Sequence, residues 1–195
     1  MSINQLPNFK IKKEGPISYQ FLKLKITSFH EAMNFVQKLP YGRNKVRSNY
    51  MLVLEEMQGT CSTKHALLKA LCIEQGYEEI KLMTGIYEMN GENTPGVGDV
   101  LKEAGLSVIP EAHCYLLYKG NRYDITRNVV SEPIEPFLVE MEIQPEQIGE
   151  YKVTVHKDYM HKWIKKNHIG LSFRELWTIR ENCIKALSNN ESQRD

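Results

Sequence analysis

From Ala66 to Ile73 apolar side chains take nearly every position of a helical wheel (Ala66, Leu67, Leu68, Ala70, Leu71, Cys72, Ile73), the pattern of a helix buried on all sides. Gly59-Thr60-Cys61 marks its start: the glycine allows a turn and Thr60 is a capping residue type, so Cys61 falls in the first helical turn. Gly76 marks its end. Upstream, Tyr19 to Ile26 alternates enough to predict a strand, and Ser28 with Glu31 forms a capping box for a helix running to Leu39, before Pro40. Ser48 can cap a second helix through Met57. Downstream the pattern predicts a strand over Ile80 to Met89 and a loop over Asn90 to Gly98 that borders any site. A short helix over Asp99 to Ala104 and a strand over Ala112 to Tyr118 follow. Lys119 to Arg122 makes a hairpin turn, with Tyr123 to Thr126 as the return strand.

The stretch from Ser131 to Glu150 holds six glutamates and no lysine or arginine, with period-two alternation through Phe137, Val139, Met141 and Ile143, which predicts a solvated edge hairpin. Tyr151 to His156 reads as a strand, Asp158 as the cap of a helix bearing Met160, Trp163 and Ile164, and Gly170 as its end. Ser172 with Glu175 is a second capping box, opening a final helix along Leu176, Ile179, Cys183, Ile184 and Leu187. Residues 189–195 are expected to fray, leaving 1–188 as one domain.

Composition narrows the partners. The chain has 195 residues with 25 Lys+Arg against 24 Asp+Glu, so no net field favours nucleic acid or an anionic membrane. No apolar run approaches a membrane span and no signal-peptide pattern opens the chain, which points to a soluble cytoplasmic protein with reduced thiols.

Chemistry concentrates at Cys61. Helix-start amides and the helix dipole stabilise a thiolate, Lys64 adds positive charge, and the polar run Ser62-Thr63-Lys64 argues for an exposed rim. Cys72 and Cys183, on apolar helical faces, read as small buried hydrophobes. A zinc set of Cys61, His65, His113 and Cys114 is disfavoured, since adjacent His113 and Cys114 point to opposite faces of a strand. No metal or cofactor is expected. His65, one turn after Cys61, could act as a base but has no evident carboxylate to orient it.

Gly-Thr-Cys opening a buried helix, His113 opening a strand, and Asp124-Ile125-Thr126 after the hairpin stand in the order Cys, His, Asp. Over residues 46–127 this resembles the transglutaminase-like superfamily. The resemblance implies a papain-like α+β fold, with the cysteine helix packed on an antiparallel sheet and C-terminal helices beyond it. It also implies a catalytic triad of Cys61, His113 and Asp124 that acts on a peptide or other amide through an acyl-enzyme. Hydrolysis and acyl transfer both remain open, as does a non-catalytic interaction module with the same fold. Tyr115, two residues after His113, matches an aromatic common in the family, while Cys114 beside the histidine is less usual. With Gly120-Asn121 as the turn residues, Asp124 would face Leu117, about 13 Å along the strand from His113, and Asn128 would face His113 directly. Asp124 is thus the candidate on motif and Asn128 on register. The oxyanion would be held by the Cys61 amide together with a second donor, for which Gln58 is the candidate.

Overall fold

Gly15 and Pro16 begin a helix where alternation predicted a strand. In the computed structural model, which describes residues 5–126, 134 and 136–191, helix α1 spans Pro16–Lys23. Proline at the first helical position fixes φ where its missing N–H is not needed. The Glu74 carboxylate accepts from the amides of Ile17 and Ser18 at 2.8 and 2.7 Å, capping the helix from a distant part of the chain. Ile17 and Phe21, one turn apart, are buried. Helix α2, Phe29–Lys38, follows its capping box as expected: Ser28 Oγ accepts from the Glu31 amide, and Glu31 accepts from the amides of Thr27 and Ser28. Helix α3 is one short piece, Leu52–Glu56, closed by Met57 at φ 53°. Helix α4, Cys61–Glu74, packs against α1, α2, α3 and a 3-10 turn at Pro145–Ile148.

Strand β1 is Lys81–Met89, helix α5 is Gly98–Glu103, strand β2 is Ile109–Tyr118, β3 is Asn121–Tyr123 and β4 is Val139–Ile143. The four strands form an antiparallel sheet in the order β3-β2-β1-β4, so the glutamate-rich β4 is an edge strand with Glu140 and Glu142 exposed. The turn-rich segment between β1 and α5 is irregular, as its composition predicted.

The predicted strand at Tyr151 to His156 is instead the start of helix α6, Glu150–Lys166. Lys152, His156, Met160 and Trp163 are buried along it at helical spacing, and Asp158 is an interior residue rather than a cap. The helix ends before Gly170: the Ile169 amide bonds back to the Ile164 carbonyl, and His168 adopts φ 50°. Helix α7, Phe173–Glu191, opens on the Ser172/Glu175 box and runs three residues past Ser188.

The described residues are thus an α+β arrangement of seven helices and a four-stranded antiparallel sheet. The chain divides into two compact units of discontinuous segments, 1–84 with 114–128 and 141–149, and 85–113 with 129–140 and 150–195. The first has a core of Phe21, Phe29, Met33, Leu67, Leu68, Leu71, Leu82 and Leu116. In the second, Leu101, Ile109, Met160, Leu176 and Cys183 are buried.

Candidate functional site

Cys61 is the first residue of α4 and is only 8% exposed. The expected polar rim is absent, because the polar side chains of the first turn are turned inward. Thr60 makes no side-chain cap bond; instead Thr63 Oγ1 accepts from the Thr60 amide at 3.0 Å. Lys64 is wholly buried, and its ammonium donates to the carbonyls of Leu39 at 2.6 Å and Thr126 at 2.9 Å. Ser62 Oγ lies 3.8 Å from the Cys61 sulfur and 3.7 Å from that of Cys114. Gly59 is needed for space rather than for an unusual φ: a Cβ there would meet Lys64 Cγ and Val53 Cγ2 at 3.0 Å. The residue that reverses the chain in the left-handed region is Met57.

His65 does have a carboxylate nearby, since its Nε2 lies 3.7 Å from Asp124 Oδ1. Its ring is nevertheless committed to backbone. The Ile125 amide donates to Nε2 at 3.0 Å, so Nε2 carries no proton, and Nδ1 therefore donates to the Cys61 carbonyl at 2.8 Å. Asp124 Oδ1 also accepts from the amide and hydroxyl of Thr126, at 2.8 and 2.5 Å. Gln58, the candidate second oxyanion donor, gives one N–H to the Arg43 carbonyl, and its amide occupies the space over Gly42.

The hairpin corrects the sequence register. Its turn residues are Lys119 and Gly120, both at positive φ (48° and 77°), the requirement of a tight primed turn. The pairs are Leu116 with Tyr123, Leu117 with Arg122 and Tyr118 with Asn121. Leu117 therefore faces Arg122 instead of Asp124, and the ladder stops at Tyr123, just before Asp124 turns into its Thr126 bonds. Asn128 lies outside the described residues, and the register that favoured it is not the one observed.

In the second unit, His113 is half-buried on β2 and meets Tyr87 edge to face, with ring centroids 6.1 Å apart. The Tyr87 hydroxyl is 3.0 Å from Thr94 Oγ1, which itself donates to Asn93, so the loop after β1 anchors the ring that His113 leans on. On its other side Tyr87 meets Phe137, seated where Gly85 has no Cβ. Two residues before His113, the buried Glu111 carboxylate takes a two-pronged bond from Arg180, both contacts 2.6 Å. Burial pushes the Glu111 carboxyl up, but Arg180, helped by His156 and Lys152, outweighs it and holds the carboxyl at about 2. His156 donates Nε2–H to the Pro110 carbonyl at 2.8 Å, and burial pushes its imidazole down to about 4, against the pull of Glu111. Lys152 donates to the Ala112 carbonyl at 2.9 Å. Sequence reasoning missed this cluster; Glu111 and Arg180 are 69 residues apart, with no local pattern joining them.

These groups set an acid response. Both have folded values below their ordinary ones, so the unfolded chain binds more protons and stability is lost as the pH is lowered. His156 acts between its ordinary 6.5 and about 4, and Glu111 between 4.5 and about 2. The urea midpoint is expected to drop already between pH 7 and 5. His156→Gln, which keeps a donor for Pro110 without the charge, should flatten that first drop; an equal drop in both proteins would remove His156 as its source.

All four cysteines are buried, and none is in a disulfide. Burial raises the Cys72 thiol far above its ordinary range and pushes Cys183 up to about 11. Among the described residues no three His, Cys, Asp or Glu side chains group to hold a metal ion, and no helix is long and apolar enough to cross a membrane. No family model, curated protein or solved structure matches the chain.

Proposed function

We propose that this chain is a cysteine-dependent amide hydrolase or acyltransferase of transglutaminase-like, papain-like type, working in the cytoplasm on peptide or other amide substrates. Cys61 is the nucleophile, His113 the base and Asp124 its orienting carboxylate. The observation that carries the reading is the mounting of Cys61 at the first position of a fourteen-residue helix whose opening turn is held by side-chain bonds. A thiol so held keeps one position relative to the helix-start amides, which favour a thiolate and a developing oxyanion. His65, the competing base, is occupied at both nitrogens, which supports His113 in that role.

In this reaction His113 takes the thiol proton as sulfur attacks the carbonyl carbon. The tetrahedral intermediate collapses with cleavage of the C–N bond, and the same proton passes to the leaving amine. Water, deprotonated by His113, releases an acid and regenerates the thiol; an amine in its place completes acyl transfer. A competing reading, a non-catalytic interaction module, is favoured by one observation: the Asp124 carboxylate is already engaged by Thr126.

Alkylation separates the two. Iodoacetamide at neutral pH, followed by peptide-resolved mass spectrometry, should modify Cys61 well ahead of Cys72, Cys114 and Cys183. Labelling of Cys61 no faster than a free model thiol would favour the module.

A further inference from the structure

We propose that His65, assigned no part in the chemistry, is the positioning residue that fixes the Cys61 thiol relative to Asp124; this rests on the reading of Cys61 as nucleophile. The imidazole is wholly buried. It is neutral by the logic of its partners, since one nitrogen must accept from the Ile125 amide while the other donates to the Cys61 carbonyl. A planar ring with both nitrogens bonded has no soft torsion left between its two ends. It therefore sets the spacing between the nucleophile's own backbone and the residue next to Asp124. Lys64 adds a parallel tie one residue away, from the same helical turn to the Thr126 carbonyl. Residues 124–126 are thus gripped through the amide of Ile125 and the carbonyl of Thr126, and Asp124 Oδ1 closes the segment on itself through Thr126. In a reaction whose geometry tolerates little error, such a tether acts on rate and leaves substrate affinity alone.

A merely structural core histidine would make the same bonds, so the test needs readouts that packing does not move. His65→Asn keeps a donor for the Cys61 carbonyl but is too short to accept from Ile125, whereas His65→Gln can reach both ends. With 4-nitrophenyl acetate as the acyl probe, His65→Asn is expected to lower the first-turnover rate about thirtyfold with KM nearly unchanged. The pH midpoint of that rate should also move down, because an imidazole losing its carboxylate protonates less readily. His65→Gln should recover most of the rate. A folded His65→Asn protein with wild-type rate and midpoint overturns the tether while leaving the enzyme reading intact. A wild-type protein no faster than Cys61→Ala overturns the enzyme reading itself, and the tether with it. Should His65→Asn not fold, nitrogen-15 spectra of the wild type decide: the neutral tautomer protonated at Nδ1 is expected at pH 7, and protonation at Nε2 overturns the proposal.

Discussion

Cys61→Ala protein is expected to lose about 10⁴-fold or more in kcat/KM for 4-nitrophenyl acetate relative to wild type. The size follows from the role proposed for the sulfur: without it the proposed acyl-enzyme cannot form, and the helix-start amides would have no covalent intermediate to stabilise. His113→Ala should fall within about tenfold of that loss if the proposed roles hold, because a nucleophile and its base have effects that do not add. The fold should survive, since Cys61 is a small side chain at a helix start and its truncation costs about 1 kcal/mol. Far-ultraviolet circular dichroism and the urea midpoint check that. Equal turnover by wild type and Cys61→Ala would end the catalytic interpretation, whatever the thiol's reactivity.

Arg180→Leu is expected to unfold in urea with about 3–5 kcal/mol less stability than wild type, the largest stability effect expected from a single substitution outside the apolar cores. The reason is what it leaves behind. Glu111 is 5% exposed and loses the guanidinium that holds its charge, so the carboxylate must either stay buried without that partner or take up a proton. Replacing both partners, as Glu111→Leu with Arg180→Leu, should restore most of the loss, because the desolvation cost of the two charges disappears with them. The four-protein cycle therefore reports a strong positive coupling. A double variant as unstable as Arg180→Leu alone would mean that the arginine acts through its contact with Trp177 or through Glu181 rather than through Glu111.

Elements whose signals are local were legible in the sequence. The Ser28/Glu31 and Ser172/Glu175 boxes use residues three apart, and both open helices as expected. The all-apolar run after Ala66 gave a buried helix with Cys61 at its first position. The misreadings occur where the deciding contact is distant or where polar residues stand in for apolar ones. Helix α6 hides its inward face because two of its four buried residues are Lys152 and His156, satisfied by the carbonyls of Ala112 and Pro110. The first turn of α4 reads as a wet rim for the same reason, since nothing near Lys64 in sequence announces carbonyls at Leu39 and Thr126. The hairpin register slipped because Lys119, not Asn121, takes the left-handed conformation beside Gly120. At the candidate site, therefore, the residue types could be read from the chain, whereas the bonds that hold them could not.

Glu74, at the far end of the cysteine helix, has a consequence for how the chain can be dissected. The amides that donate to it belong to a helix of eight residues, shorter than the length at which isolated helices hold together in water. A fragment ending before α4 would contain all of α1 but not the carboxylate that begins it. The N-terminal helix and the cysteine helix are in that sense a single inheritable piece: neither a graft of residues 16–23 onto another scaffold nor a truncation at Leu39 carries the instruction that makes the first helix start.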